Sequence, residues 1–158
     1  MTSGPARTFG ELIERHELEI FRYALRLTGR RADADDVFQE TFLAAFRAWP
    51  PPRRGNERAW LYRIATNKAI DQVRRRRRHA PLEEMKDLRL AAPERDGVTT
   101  LDLAAAIREL PAGQRAAFVL HRVEGLPHRD VAIALGCSEE AARARVHEAT
   151  KKVKEAMR

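Results

Sequence analysis

Along Ala59 to Arg78, AWLYRIATNKAIDQVRRRRR, the residues Trp60, Arg63, Asn67, Asp71, Arg74 and Arg78 recur at three- and four-residue steps. A helix over this stretch gathers them on one face. An aromatic, an amide and a row of guanidinium groups suit nucleic acid. Arg neutralises phosphates, Trp stacks on an unpaired base, and Asn offers a paired donor and acceptor to a base edge. Leu61, Ala65, Ala69 and Val73 form a separate stripe, broadened by Tyr62 and Ile70, that can pack. The five consecutive arginines Arg74 to Arg78 extend positive charge round the helix end.

The remainder of the chain must fold, hold and aim this helix. Its 158 residues, 44% of them hydrophobic, suffice for one ordinary domain or two small ones. Low aromatic content, 8 glycines and long Ala/Leu/Arg/Glu-rich segments without β-branched alternation predict an all-α protein. The formal charge of +7 and the pI near 10.3 point to a polyanionic partner. The excess is uneven: +7 over residues 1–79, −2 over 80–99 and +2 over 100–158. A single cysteine, Cys137, excludes an intramolecular disulfide, and there is no Cys/His cluster at zinc spacing. No apolar run approaches the roughly 20 residues that span a bilayer. The start, MTSGPARTFGEL, lacks the apolar core of a signal peptide. These features predict a cytoplasmic protein with no membrane insertion.

Thr8 with Glu11 makes a capping box for a first helix that Thr28-Gly29 stops, with His16 as a packed residue at the core edge. A second helix is expected from Asp33 as N-cap, with Val37, Thr41, Ala44, Ala45 and Ala48 inward. Asp36, Gln39 and Glu40 cluster on its polar side. Three readings of that cluster stand open: a solvated face, a docking surface for a basic partner helix, and a carboxylate metal pair at Asp36 and Glu40, the last without a third ligand nearby. Pro50-Pro51-Pro52 ends the helix. In the following loop Arg53, Arg54 and Asn56 stand just before Trp60, where they could meet bases. Ala80 to Val98, with two prolines, a glycine and net negative charge, reads as a flexible linker with one short helical turn around Glu83 to Leu90. The expected units are therefore 8–79, the linker 80–98, and 99–158.

In the second unit Thr99 or Thr100 caps a helix to Leu110, and Pro111 opens another. Gly125, Leu126 and Pro127 break the chain before a short helix His128 to Leu135. A Gly136-Cys137 turn follows, then a long helix capped by Ser138. Small Ala132, the Gly136 turn and the inward Ala142, Val146, Ala149 and Val153 match a helix-turn-helix. Glu140, Arg143, Ala144, His147 and Lys151 face the other way, as a major-groove reader would require.

These segments resemble the extracytoplasmic-function group of bacterial RNA polymerase sigma factors, and the resemblance covers nearly the whole chain. DADDVFQETFLAAFRAW looks like that group's clamp-binding helix, RAWLYRIATNKAIDQVRRRRR like its promoter-melting helix, and LPAGQRAAFVLHRVEGLPHRDVAIALGCSEEAARARVHEA like its fourth domain. The resemblance implies that Asp36, Gln39 and Glu40 dock on the coiled coil of the polymerase β′ clamp. It implies that Arg53, Arg54, Asn56, Trp60, Arg63, Asn67, Lys68, Arg74 and Arg75 meet the −10 element. It places Ser138, Glu140, Arg143, Arg145, His147 and Lys151 at the −35 element, with the β flap as the second polymerase contact. Core RNA polymerase, promoter DNA and an anti-sigma factor are the implied partners; no cofactor, metal or catalytic residue is implied. Where relatives commonly carry two further arginines, this chain has Glu148 and Thr150, which predicts weaker or unusual −35 recognition, aided by another protein. Two other functions compete: a stand-alone helix-turn-helix regulator, and a nucleic-acid enzyme, for which a matching Ser, Tyr or multi-carboxylate centre is lacking.

Overall fold

The computed structural model describes residues 4–51, 56–79 and 97–158, without the side chains at 79 and 97–101, and over these residues it is all-α. Arg53, Arg54 and the expected linker with its helical turn, apart from its last two positions, lie outside the described residues. The first unit holds α1 (Phe9–Thr28), α2 (Arg31–Arg47) and α3 (Glu57–His79). The second holds α4 (Gly97–Glu109), α5 (Ala112–Phe118) running into a π turn (Val119–Val123), α6 (His128–Leu135) and α7 (Glu139–Ala156).

The ends of α1 follow from local chemistry. Thr8 Oγ1 accepts from Glu11 N at 3.1 Å, and Glu11 Oε2 accepts from Arg7 N at 2.9 Å. At the other end Gly29 adopts φ +75°, a left-handed conformation that closes the helix with a bond to the Leu25 carbonyl. Two boundaries differ from those the sequence suggests. The second helix begins at Arg31, so Asp33 is not its cap but sits buried in its first turn. Likewise α4 starts at Gly97, which places Thr99 and Thr100 inside the helix.

α3 packs against both α1 and α2, and its apolar stripe is the centre of the first unit. Leu61, Tyr62, Ala65 and Ala69 are fully buried. The rings of Tyr23 and Tyr62 meet edge to face at 5.0 Å, a pairing worth about 0.5–1.5 kcal/mol beyond its buried area. The Tyr23 hydroxyl lies 2.6 Å from Thr66 Oγ1, so neither buried oxygen is left without a partner. In the second unit Ala142, Val146, Ala149 and Val153 are buried, as the helix-turn-helix spacing requires.

The two units also touch. α3 lies against α6 and α5, and buried residues of both units form one continuous cluster.

Asp33 ties α2 to the basic end of α3. Its carboxylate accepts from Gln72 Nε2 at 3.2 Å and pairs with Arg76 Nε at 2.6 Å, with only 5% of the side chain exposed. Asp33→Ala removes a buried acceptor shared by both donors, and should lower unfolding free energy by about 1–3 kcal/mol, read from urea denaturation. The conservative Asp33→Asn, which keeps one acceptor, should cost less.

Candidate nucleic-acid interface

Helical geometry sets Trp60, Arg63, Asn67, Asp71, Arg74 and Arg78 within one sector of α3, with Lys68 and Arg75 about 70° to one side. Arg63, Asn67, Arg74, Arg75, Arg77 and Arg78 are exposed, whereas Lys68 and Asn56 are half-buried. Trp60 packs partly against the core, which fixes the indole while leaving part of it accessible. The arginine run is not uniform. Arg75 pairs with Asp71 at 2.6 Å on the surface, and Arg76 is held by buried Asp33. Arg76 is thus a structural residue, and the exposed arginines on either side carry the outward charge.

On α2, Asp36 and Gln39 are exposed and Glu40 is half-buried. Leu43 and Phe46 lie on the same side, 55% and 63% exposed. Sequence reasoning missed these two. Their three- and seven-residue steps from the polar trio were available, but a mixed acidic and apolar face resembles neither a core stripe nor a solvated one. Apolar side chains this exposed, set beside carboxylates, favour docking over a merely solvated face. Among the described residues no group of three or more His, Cys, Asp or Glu is placed to hold a metal ion.

In the helix-turn-helix, Gly136 takes φ +65° and Ser138 Oγ accepts from Ala141 N at 3.1 Å. Ser138 therefore aims α7 with a hydroxyl already engaged by the backbone. Glu140, Arg143, His147 and Lys151 are exposed and share one face; Arg143 is paired with Glu139 at 2.9 Å. Arg145 is half-buried and lies about 140° from Glu140, away from that face.

A polar cluster that the sequence did not reveal joins the units. Arg58 Nε donates to Glu19 at 2.7 Å and Arg58 Nη2 to the Glu124 carbonyl at 3.3 Å. Arg26 pairs with Glu124 at 2.6 Å, and the Tyr62 hydroxyl reaches Glu124 Oε2 at 3.5 Å. Burial and the nearby Glu19 and Glu124 carboxylates push the Tyr62 hydroxyl pKa upward. Burial alone would raise Glu19, but hydrogen bonds from His16 and Arg58 outweigh it and bring its pKa from 4.5 down to about 2. His16 and Glu19 are three residues apart, but the partners that Arg58, Tyr62 and Arg26 find in Glu19 and Glu124 are 39 to 98 residues away in the chain, so no local pattern announces them.

A basic helix and a helix-turn-helix on one chain define a two-part, all-α DNA-binding protein. The family models for Sigma-70 region 2 and Sigma-70 region 4 match residues 12–79 and 100–153. The chain is 35% identical over 151 residues to the ECF RNA polymerase sigma factor SigE of Mycolicibacterium smegmatis, with 89% of this chain and 58% of that protein aligned. It is 34% identical to the RNA polymerase sigma factor CnrH of Cupriavidus metallidurans over 96% of this chain and 87% of that one. The fold matches that of the sigma factor RpoE from Bartonella quintana, solved with the anti-sigma factor NepR, at TM-score 0.75 and 24% identity. That match covers 96% of this chain and 98% of the other. The chain belongs to the ECF RNA polymerase sigma factors.

Because the pKa of Glu19 is lower in the folded state than in the unfolded one, the stability it contributes is present above about pH 4.5. That contribution is lost as pH falls from 4.5 towards 2. Urea midpoints measured across this window should drop for the wild type, and Glu19→Gln should flatten the drop while lowering stability at pH 7.

Proposed function

We propose that residues 8–79 and 99–158 are the two working units of a promoter-selecting subunit of bacterial RNA polymerase. The exposed Arg63 and Asn67 face of α3, with Trp60 half-packed at its head, is the observation that carries this reading. The first unit docks on the β′ clamp through Asp36, Gln39 and Glu40, extended by Leu43 and Phe46, and reads the −10 element through α3 and the loop before it. The second unit meets the β flap and reads the −35 element with Glu140, Arg143, His147 and Lys151. No chemical step is needed, and the subunit is non-catalytic. Extruding a base costs a few kcal/mol of unstacking, and stacking on a group such as Trp60 returns about 1–3 kcal/mol. Melting follows from tighter binding to the open strand than to the duplex. The protein works in the cytoplasm, and the RpoE complex with an anti-sigma factor supports a similar inhibitory partner for this chain. Transcription in vitro with core polymerase and mapped start sites tests the whole reading. Failure to copurify with core polymerase would favour a stand-alone regulator.

Arg74, Arg75, Arg77 and Arg78 are exposed, whereas Arg76 is engaged by Asp33. Each phosphate contact contributes a slope of about −0.9 to log affinity against log salt. Replacing these four with Ala should flatten the slope by up to roughly 3.6 in fluorescence-anisotropy titrations of promoter DNA. An unchanged slope would make the run a solvated helix end.

Glu148 is exposed, and Thr150 Oγ1 is spent on the Val146 carbonyl at 2.7 Å. Both flank the reading face of α7. Glu148→Arg with Thr150→Arg should tighten binding to −35 duplex about tenfold at low salt, each added phosphate contact contributing to the gain. No gain would show that neither position approaches DNA.

A further inference from the structure

We infer that the arm ahead of α1, residues 4–8, is a specificity element. By clasping Glu57 it holds the head of α3, which makes Ala6 and Glu57 positioning residues for the choice of −10 bases by Asn56 and Trp60. This role in base choice rests on the promoter-reading function proposed above.

The arm is stiffened by its own sequence and tied down along its length. Pro5 fixes its own φ and biases Gly4 away from helical backbone. The Gly4 carbonyl accepts from Arg15 Nη1 at 2.6 Å, the Arg7 N–H donates to Glu11 at 2.9 Å, and Thr8 caps α1. Those ties are local to α1 and would order the arm in any tertiary setting. The Ala6 N–H is different: it donates at 3.1 Å to Glu57 Oε1, 51 residues along the chain, in the first turn of α3. Just beyond the arm, the Phe9 ring meets those of Phe46 and Trp49 at 5.2 and 5.9 Å, at the end of α2. The arm is therefore fixed against α2 where it reaches α3.

Glu57 is only 7% exposed. A carboxylate in a first helical turn offsets the helix dipole equally well from the surface, and burying it is costly without a donor. Ala6 supplies that donor. Glu57 stands between Asn56 and Trp60, and the Trp60 N–H makes the first helical bond to the Asn56 carbonyl at 3.2 Å. No bonded turn precedes this one, and helix ends fray, so the aim of Asn56 and Trp60 depends on what grips the turn from outside. Arg58 pairs with Glu19 of α1 at 2.7 Å, and Glu57 is held by the arm. Two side chains about 100° apart round the helix are thus tied to different segments, which opposes both fraying and rotation.

A gripped turn presents its amide and indole already ordered. A frayed one must be ordered by every strand it binds and adapts to the wrong base as readily as to the right one.

Holoenzyme formed from core polymerase and the full chain is titrated with a single-stranded −10 oligonucleotide from mapped start sites, and with its single-base variants. Ala6→Pro deletes the N–H donor and leaves α3 untouched. It and Glu57→Ala should lower the ratio of mismatched to matched dissociation constants roughly three- to tenfold. Glu57→Gln, whose amide oxygen still accepts from Ala6, should keep most of that ratio. Binding to −35 duplex should be the same for all four proteins. In the free chains, amide hydrogen exchange at Trp60 should quicken about tenfold in the first two variants. A merely structural brace would lower the urea midpoint and leave the base ratio alone, which would overturn the inference. An equal loss of −35 binding, or an unchanged Trp60 exchange rate in Ala6→Pro, would do the same. Should Glu57→Ala fail to fold, Ala6→Pro and Glu57→Gln carry the test. Absence of any −10 preference in the wild type would instead sink the proposed function and the specificity role, while amide exchange still decides whether the arm holds the helix head.

Discussion

The seating of α3 against α1 is the contact on which the other features depend. Tyr23, Tyr62 and Thr66 make it specific: two buried rings meet edge to face, and the buried Tyr23 hydroxyl finds its partner in Thr66 Oγ1. An apolar stripe alone would tolerate a rotated helix, because Ala65 and Ala69 are small and alike. Edge-on tyrosines and a shared hydroxyl contact do not, so the direction of Arg63 and Asn67 is set by groups on the opposite side of the same helix.

Charge in this molecule serves two purposes that the composition cannot separate. Exposed arginines on α3 are available to a polyanion, while Arg58, Arg76 and Arg115 are committed to Glu19, Asp33 and backbone carbonyls within the fold. The formal excess of +7 therefore overstates what a nucleic acid would meet in one place. Partners as much as burial separate the two sets: Arg115 is buried and Arg76 half-buried, whereas Arg58, 44% exposed, is held by its pairing with Glu19.

The helices, their glycine ends, the Ser138 cap and the helix-turn-helix register were legible in the sequence because each rests on residues within a few positions of one another. The second helix start was misplaced for the same reason. Asp33 looks like a cap locally, and only the fold reveals that its partners are Gln72 and Arg76, 39 and 43 positions along the chain. The joint between the units was not legible at all. Two of its acceptors are the main-chain carbonyls of Leu27 and Glu124, which leave no trace in residue type, the third is the distant Glu124 carboxylate, and most of its donors are arginines in a sequence already rich in them. Arg145 shows a milder case: its type fits a DNA reader, yet its angular position takes it off the face.

Gly29 and Gly136 give the joint a reciprocal character. Each ends a helix in a left-handed conformation, and each lies under an arginine of the other unit: Arg108 Cδ would be 3.3 Å from a Cβ on Gly29, as Arg63 Nη2 would be 3.8 Å from one on Gly136. Helix ends offer acceptors that mutation cannot delete, since every residue has a carbonyl. Divergence among relatives can thus adjust how firmly the halves meet by changing a few arginines, with no redesign of either unit. The strength of that joint can drift or be selected separately from the outward-facing residues of α3 and α7.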